Sequence, residues 1–260
     1  MKAIGTYLYC LVAAARTPSL ERVARGVPGT GRVRLVPFET SAPAQFRKRW
    51  LVVADAPLDR FGEENINRRL RDLDWVARAA VAHEAVVESF VTAPALLPMK
   101  LFTIFTSDER AVAHLLSRRE YIDATLERVA LHDEWGVRVV LHGAPARASA
   151  NRGRSSQSGA GYLVRKKALR DATAELAVRS RTVVSDLYDR LADLASGDRR
   201  RGARELPVKG GPLLLDAAFL VKRTDARRFR SALSSEARRL GREGYGVSLT
   251  GPWPPYSFLE

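Results

Sequence analysis

Apolar and polar positions follow two rhythms along this chain of 260 residues. Alternation marks strands, and a step of three or four marks helices. Residues 5–13, Val33–Phe38 and Trp50–Ala54 read as strands, with a loop at Arg25–Gly31. Ile66, Leu70, Leu73, Val76, Ala80, His83, Val87 and Phe90 fall on one helical face, and Pro94 ends that helix. Leu96–Phe105 reads as a buried strand. Ser107-Asp108-Glu109 then caps a helix carrying Val112, Leu115, Leu116, Ile122, Leu126 and Val129, with an interruption near Arg118.

A second unit starts with a strand at Trp135–Leu141. Arg147–Ser158 is polar and of low complexity, the pattern of a mobile loop. Leu169, Ala172, Leu176, Ser180, Val183, Leu187, Leu191 and Leu194 then predict a helix from Gly161 to Ser196, ~50 Å long at 1.5 Å per residue. A short strand at Pro207–Lys209, a turn at Gly210-Gly211-Pro212 and a strand at Leu213–Val221 follow. Thr224-Asp225 caps a helix with Phe229, Leu233, Ala237 and Leu240 inward, and Tyr245–Thr250 is the last strand. The order βαββαβ is ferredoxin-like. Residues 103–116 repeat the plan of 219–233, an apolar strand, a capping pair and a helix. The expectation is an α+β protein of two domains: 1–131, a related α+β unit, and 132–260, a modified ferredoxin-like fold.

Composition changes this picture little. The chain is 46% hydrophobic and 28% charged, a globular balance. Its net charge is +14 and its pI about 10.5, which suits nucleic acid or an anionic membrane. Arginine recurs in almost every segment, which favours a solvated basic surface. Cys10 is the lone cysteine, so neither an internal disulfide nor a cysteine-based zinc cluster can form, and a reducing compartment fits. The short apolar run near the N-terminus imitates a signal peptide. Its β-favouring Tyr7, Tyr9 and Val12 favour a strand, and no stretch reaches the ~18–20 apolar residues of a membrane span.

The chemical motifs fail one by one. Gly26–Gly31 looks like a phosphate loop, but Arg32 and Val33 stand where Lys and Ser/Thr are needed, and a strand follows, so a plain turn is expected. His83, His114, His132 and His142 lack the spacing of a metal pair, and His83 on its apolar stripe reads as a core histidine. Asp216 interrupts an apolar strand face, either pairing with an arginine across the sheet or lining a site. No nucleophile elbow or paired carboxylates appear, which argues against an enzyme, a cofactor or a metal. Ferredoxin-like sheets can bind RNA through exposed aromatics, but the usual aromatic signature is missing. Arg199–Arg201 with Arg204 would touch phosphate or form a solvated loop. RNA binding stays the alternative reading.

Six stretches point one way: TYLYCLV (6–12), HEAVVESF (83–90), LLPMKLFTIFTSDE (96–109), GYLVRKK (161–167), DAAFLV (216–221) and LTGPWPPYSFL (249–259). In this order and spacing the chain resembles the gas vesicle protein family GvpL/GvpF over nearly its whole length. The resemblance implies two α+β domains and a cytoplasmic accessory or minor structural role in gas vesicles. It also implies association with the hydrophobic shell protein and other accessory gas vesicle proteins, without catalysis or cofactor. The stiff aromatic terminus supplies the candidate site residues, Trp253, Tyr256 and Phe258. Three prolines preorganise it either to fold over the second domain or to dock a partner.

Overall fold

The computed structural model describes residues 3–39, 48–142, 159–202 and 211–259. They form two compact units, Met1–Glu134 with Pro252–Glu260, and Trp135–Gly251. The expected loop 147–158 and the expected strand Pro207–Lys209 lie outside the described residues.

In the first unit an antiparallel sheet has the order β2-β3-β1-β4, from β1 (Ile4–Ala13), β2 (Arg34–Glu39), β3 (Lys48–Pro57) and β4 (Ala95–Pro98), with the two-residue β5 (Ile104–Phe105) also on β1. β1 is the centre, and Tyr7 to Ala13 are all inaccessible to solvent. Simple alternation breaks there. The register with β3 shifts between Leu8 and Cys10, a bulge that gives Tyr9 no partner of its own. Tyr7, Tyr9, Cys10 and Val12 consequently share one core, while Leu8, Leu11 and Ala13 enter the other. The first core packs under helix α3 (Leu73–Glu88), the second under α4 (Asp108–Ser117) and α5 (Arg119–Val129).

The single helix expected over Ile66–Phe90 is two, α2 (Glu63–Arg69) and α3, and a short α1 (Leu58–Phe61) precedes them. Asp72 restarts the helix by accepting the Trp75 N–H at 3.0 Å. Its buried stripe is Trp75, Ala79, His83, Val86 and Val87, rotated from the expected one, and Leu73 is 77% exposed. Ser107 does cap α4, and the break at Arg118 is present. The Gly-rich loop is a turn held over β1. The Tyr9 hydroxyl accepts the Val27 N–H at 2.9 Å and stands 2.4 Å from where a Cβ on Gly26 would be.

The second unit has β6 (His132–Leu141), which starts in the first, α6 (Gly159–Ala192), β7 (Gly197–Arg200), β8 (Leu213–Lys222), α7 (Ala226–Arg242) and β9 (Tyr245–Trp253). The βαββαβ order is ferredoxin-like, with sheet order β7-β8-β6-β9. The second strand is Gly197–Arg200, so the arginine run begins inside an edge strand instead of a loop. Arg199 and Arg200 pair with Ala218 and Ala217. Charged residues on an edge resist unwanted strand addition. Asp225 precedes α7 but makes no side-chain capping bond. The described packing of α6 runs through Ser180, Val184, Leu187 and Leu191, and Val178 is 56% exposed.

Asp216 pairs across the sheet with Arg138 at 3.1 Å and lies 3.5 Å from Arg201. Charge is not spread evenly between the units. The first holds 19 Lys and Arg against 18 Asp and Glu, and the second 24 against 11.

Candidate functional site: an apolar groove in the first unit

Between β4 and β5 the chain leaves the sheet at Met99 and returns at Thr103. Phe102 turns it with φ of +62°, a left-handed conformation that costs a non-glycine residue about 1–2 kcal/mol. The surroundings hold it there. The Tyr7 hydroxyl accepts the Phe102 N–H at 3.1 Å and donates to His83 Nδ1 at 2.9 Å. His83 Nε2 faces the Met99 carbonyl at 3.1 Å and therefore carries the ring proton. The Phe102 ring stacks on Trp75 at 4.8 Å, 3° from parallel. Both ring nitrogens of His83 thus serve structure, and burial lowers its pKa below the ordinary value.

This arch forms one wall of a groove of about 590 Å³. Leu97, Met99, Lys100 and Leu101 line that wall. Leu115 of α4, Tyr121 and Ile122 of α5, and Arg118 between the two helices also line the groove. Ala80, His83 and Glu84 of α3, with Tyr256 and Leu259, are also in the lining. The lining is largely apolar with a few convergent polar groups, the usual make-up of a binding site. Lys100, Arg118 and His114 are exposed around it, and the Arg118 guanidinium lies 5.0 Å from the Tyr121 ring. Three stretches that the sequence set apart, HEAVVESF, LLPMKLFTIF and PWPPYSFL, meet here.

The terminal segment belongs to the first unit, which corrects the expectation that it folds over the second domain. The Tyr256 hydroxyl donates to Glu84 at 2.7 Å, and Ser257 donates its N–H and hydroxyl to Glu134 at 2.7 and 2.8 Å. Arg128 donates to the Phe258 carbonyl at 2.6 Å. Burial raises the Glu84 pKa, opposed by the Tyr256 bond, and raises that of Tyr256. Pro254, Pro255 and Phe258 are buried, while Trp253 is 36% exposed. Of the three candidate residues, Tyr256 lines the groove, Phe258 anchors the segment and Trp253 does neither.

Glu84, Lys100, Leu101, Arg118 and Tyr121 were not singled out by sequence reasoning. The one signal was Lys100 inside an apolar run, too polar for a strand buried on both faces. In the second unit Trp135, Phe219 and Tyr245 are 5%, 0% and 2% exposed, so these strand aromatics cannot stack on bases. Among the described residues no group of acidic, histidine or cysteine side chains is placed to hold a metal, and no helix is long and apolar enough to cross a membrane.

The profile of the family described as "Gas vesicle synthesis protein GvpL/GvpF" matches residues 5–260. Gas vesicle protein L of Streptomyces sp. (strain CB03234) is 30% identical over 212 residues, 80% of this chain and 78% of that protein. Gas vesicle protein F of the same strain is 28% identical over 221 residues, 80% and 83% of the two chains. The crystal structure of GvpF from Anabaena sp. PCC7120 superposes with a TM-score of 0.68 at 16% identity, covering 99% of this chain and 96% of that one. GvpF from Microcystis aeruginosa gives 0.63 at 14% identity, covering 98% and 99%.

Proposed function

Since the chain belongs to the GvpL/GvpF family of gas vesicle synthesis proteins, we propose that it is an accessory protein of gas vesicle assembly that holds an apolar segment of the shell subunit in the groove of its first unit. A wall that repels water on its gas side needs subunits with apolar surface, and such surface associates without control before assembly. A partner that covers it transiently keeps the subunit competent to add to the growing wall. Work on the cytoplasmic side of the vesicle, beside other accessory proteins, follows from that role.

The observation that carries this reading is the groove itself. It is open and largely apolar, and it is bordered by a turn held in a strained conformation. Backbone strain of this kind collects where a surface must keep a shape that packing alone would not choose. Preorganised walls lower the cost of ordering on binding.

A photo-crosslinking residue placed at Tyr121, on the groove, should capture the shell subunit when the two are co-expressed. The same residue at Ser248, on exposed β9, should not. Tyr121→Arg should abolish co-purification of the subunit without lowering the melting temperature. Equal capture from both positions, or full retention by Tyr121→Arg, would remove the groove from the mechanism.

A further inference from the structure

Helix α7 turns toward solvent a stripe that the groove does not use. The geometry points to this stripe as a docking surface for an acidic helix of a protein partner. The inference deepens the gas vesicle reading by giving the chemistry of a second partner, and it involves no groove residue.

Arg227, Ser231, Ser234 and Arg238 stand at intervals of three or four residues, so they share one face, and all are exposed. Arg230 and Arg242 flank them and are exposed too. The carboxylates near this helix are taken elsewhere. Glu236 binds Arg190 at 3.1 Å and Arg239 at 2.8 Å, and Glu243 binds Arg179 and Arg239, each at 3.0 Å. Arg230 lies 5.7 Å from the Trp135 ring. Among the described residues no carboxylate lies within ion-pair distance of Arg227, Arg238 or Arg242.

Shape selects the occupant as much as charge does. The small Ser231 and Ser234 between long arginines leave a shallow trough of about 390 Å³ with no acidic group in its lining. Another helix can lie close over small residues. From Arg227 to Arg238 the stripe runs ~16 Å at 1.5 Å per residue, three turns. Carboxylates at the two ends of a three-turn face of a partner helix would meet Arg227 and Arg238, with Arg230 and Arg242 one turn from each for the carboxylates beside them, in the fork geometry arginine favours. Nucleic acid fits less well, because Trp135, Phe219 and Tyr245 are buried and the stripe itself carries no ring. Exposed ion pairs are individually weak, so binding should be modest and steeply salt-dependent.

The test uses the full chain and a fluorescent 20-residue helical peptide carrying Glu at positions i, i+4, i+7 and i+11, with a Gln-substituted twin. Anisotropy at low salt should show binding of the Glu peptide and at least tenfold weaker binding of its twin. Arg227→Glu with Arg238→Glu should weaken the Glu peptide about tenfold with no change in melting temperature. Arg170→Glu with Arg181→Glu, on exposed α6, should weaken it less than threefold. Equal losses in both double variants would mean diffuse attraction to a basic unit and overturn the stripe. So would a single-stranded RNA of 20 nucleotides that binds more tightly than the peptide and loses that binding in the α7 variant.

Discussion

The two units share a class, an antiparallel sheet with helices, yet they treat charge in opposite ways. The first is nearly neutral, with 19 basic against 18 acidic residues, and several of its carboxylates tie its own elements together. Asp108 receives Arg34 at 2.7 Å and the Thr6 hydroxyl at 2.6 Å, tying β1, β2 and α4 together. Asp123 pairs with Arg49, whose side chain is 1% exposed. Glu84 and Glu134 hold the terminal segment. The second unit carries 24 basic against 11 acidic residues, and most of its excess stays on the surface. One unit uses charge to fix its own shape; the other presents it. The net charge of +14 is therefore a property of the second unit, and a search for its purpose belongs there.

The largest effect that sharpens this contrast comes from the buried pair. Asp123→Ala strips a carboxylate from buried Arg49 and should cost about 3 kcal/mol in denaturant unfolding. Arg238→Ala in the second unit should change stability by less than about 0.5 kcal/mol. Similar costs for both would erase the distinction between structural and presented charge.

Next is the terminus. Phe258→Ala should lose about 2–3 kcal/mol through the cavity it leaves. Trp253→Ala, at a position 36% exposed, should lose under about 1 kcal/mol. The reverse ranking would mean that the segment is held from Trp253. The sequence marked this segment as stiff and aromatic, but ring size gave no way to rank its anchors. Burial depends on Glu84, Arg128 and Glu134, which lie more than a hundred residues away along the chain.

Tyr7→Phe should cost about 1–2 kcal/mol, because the Phe102 N–H and His83 Nδ1 each lose a partner inside the core. Faster amide exchange at Phe102 would accompany it, and unchanged exchange would show that the arch stands without Tyr7. The arch also marks the limit of what the sequence made legible. The periods identified most strands and helices, but the second strand of the second unit is Gly197–Arg200, where the sequence reads as a basic loop. They merged β4, the arch and β5 into one strand, since LPMKLFTIF is apolar throughout except at Lys100, Thr103 and the helix-breaking Pro98. A left-handed Phe102 has no signature in a single sequence. The bulge at Tyr9 was equally hidden, and with it the convergence of Tyr7 and Tyr9 beside His83, where their ring centroids lie 5.7 and 5.4 Å from the histidine. The groove was therefore legible as motifs and illegible as a place.

The smallest effect is a titration that pits two neighbours against each other. His83 is neutral in the folded state, its pKa depressed by burial from the ordinary 6.5. As pH falls below about 6.5 the unfolded chain takes up that proton first, so stability contributed by His83 is lost down to its folded pKa. Glu84 has the opposite sign. Burial raises its pKa above the ordinary 4.5, so the folded state protonates first and stability rises as pH falls through that raised value toward 4.5. Asp108, held low by Arg34, stays ionised throughout this range and matters only below about 3.8. Between pH 7.5 and 5.5 the melting temperature should fall through the His83 contribution. His83→Gln should flatten that fall, and Glu84→Gln should remove the rise in stability that comes as pH drops further toward 4.5. If both variants keep the parent slope, the arch and the terminal latch do not titrate, and the polar groups of the first unit are fixed structure over the whole neutral range.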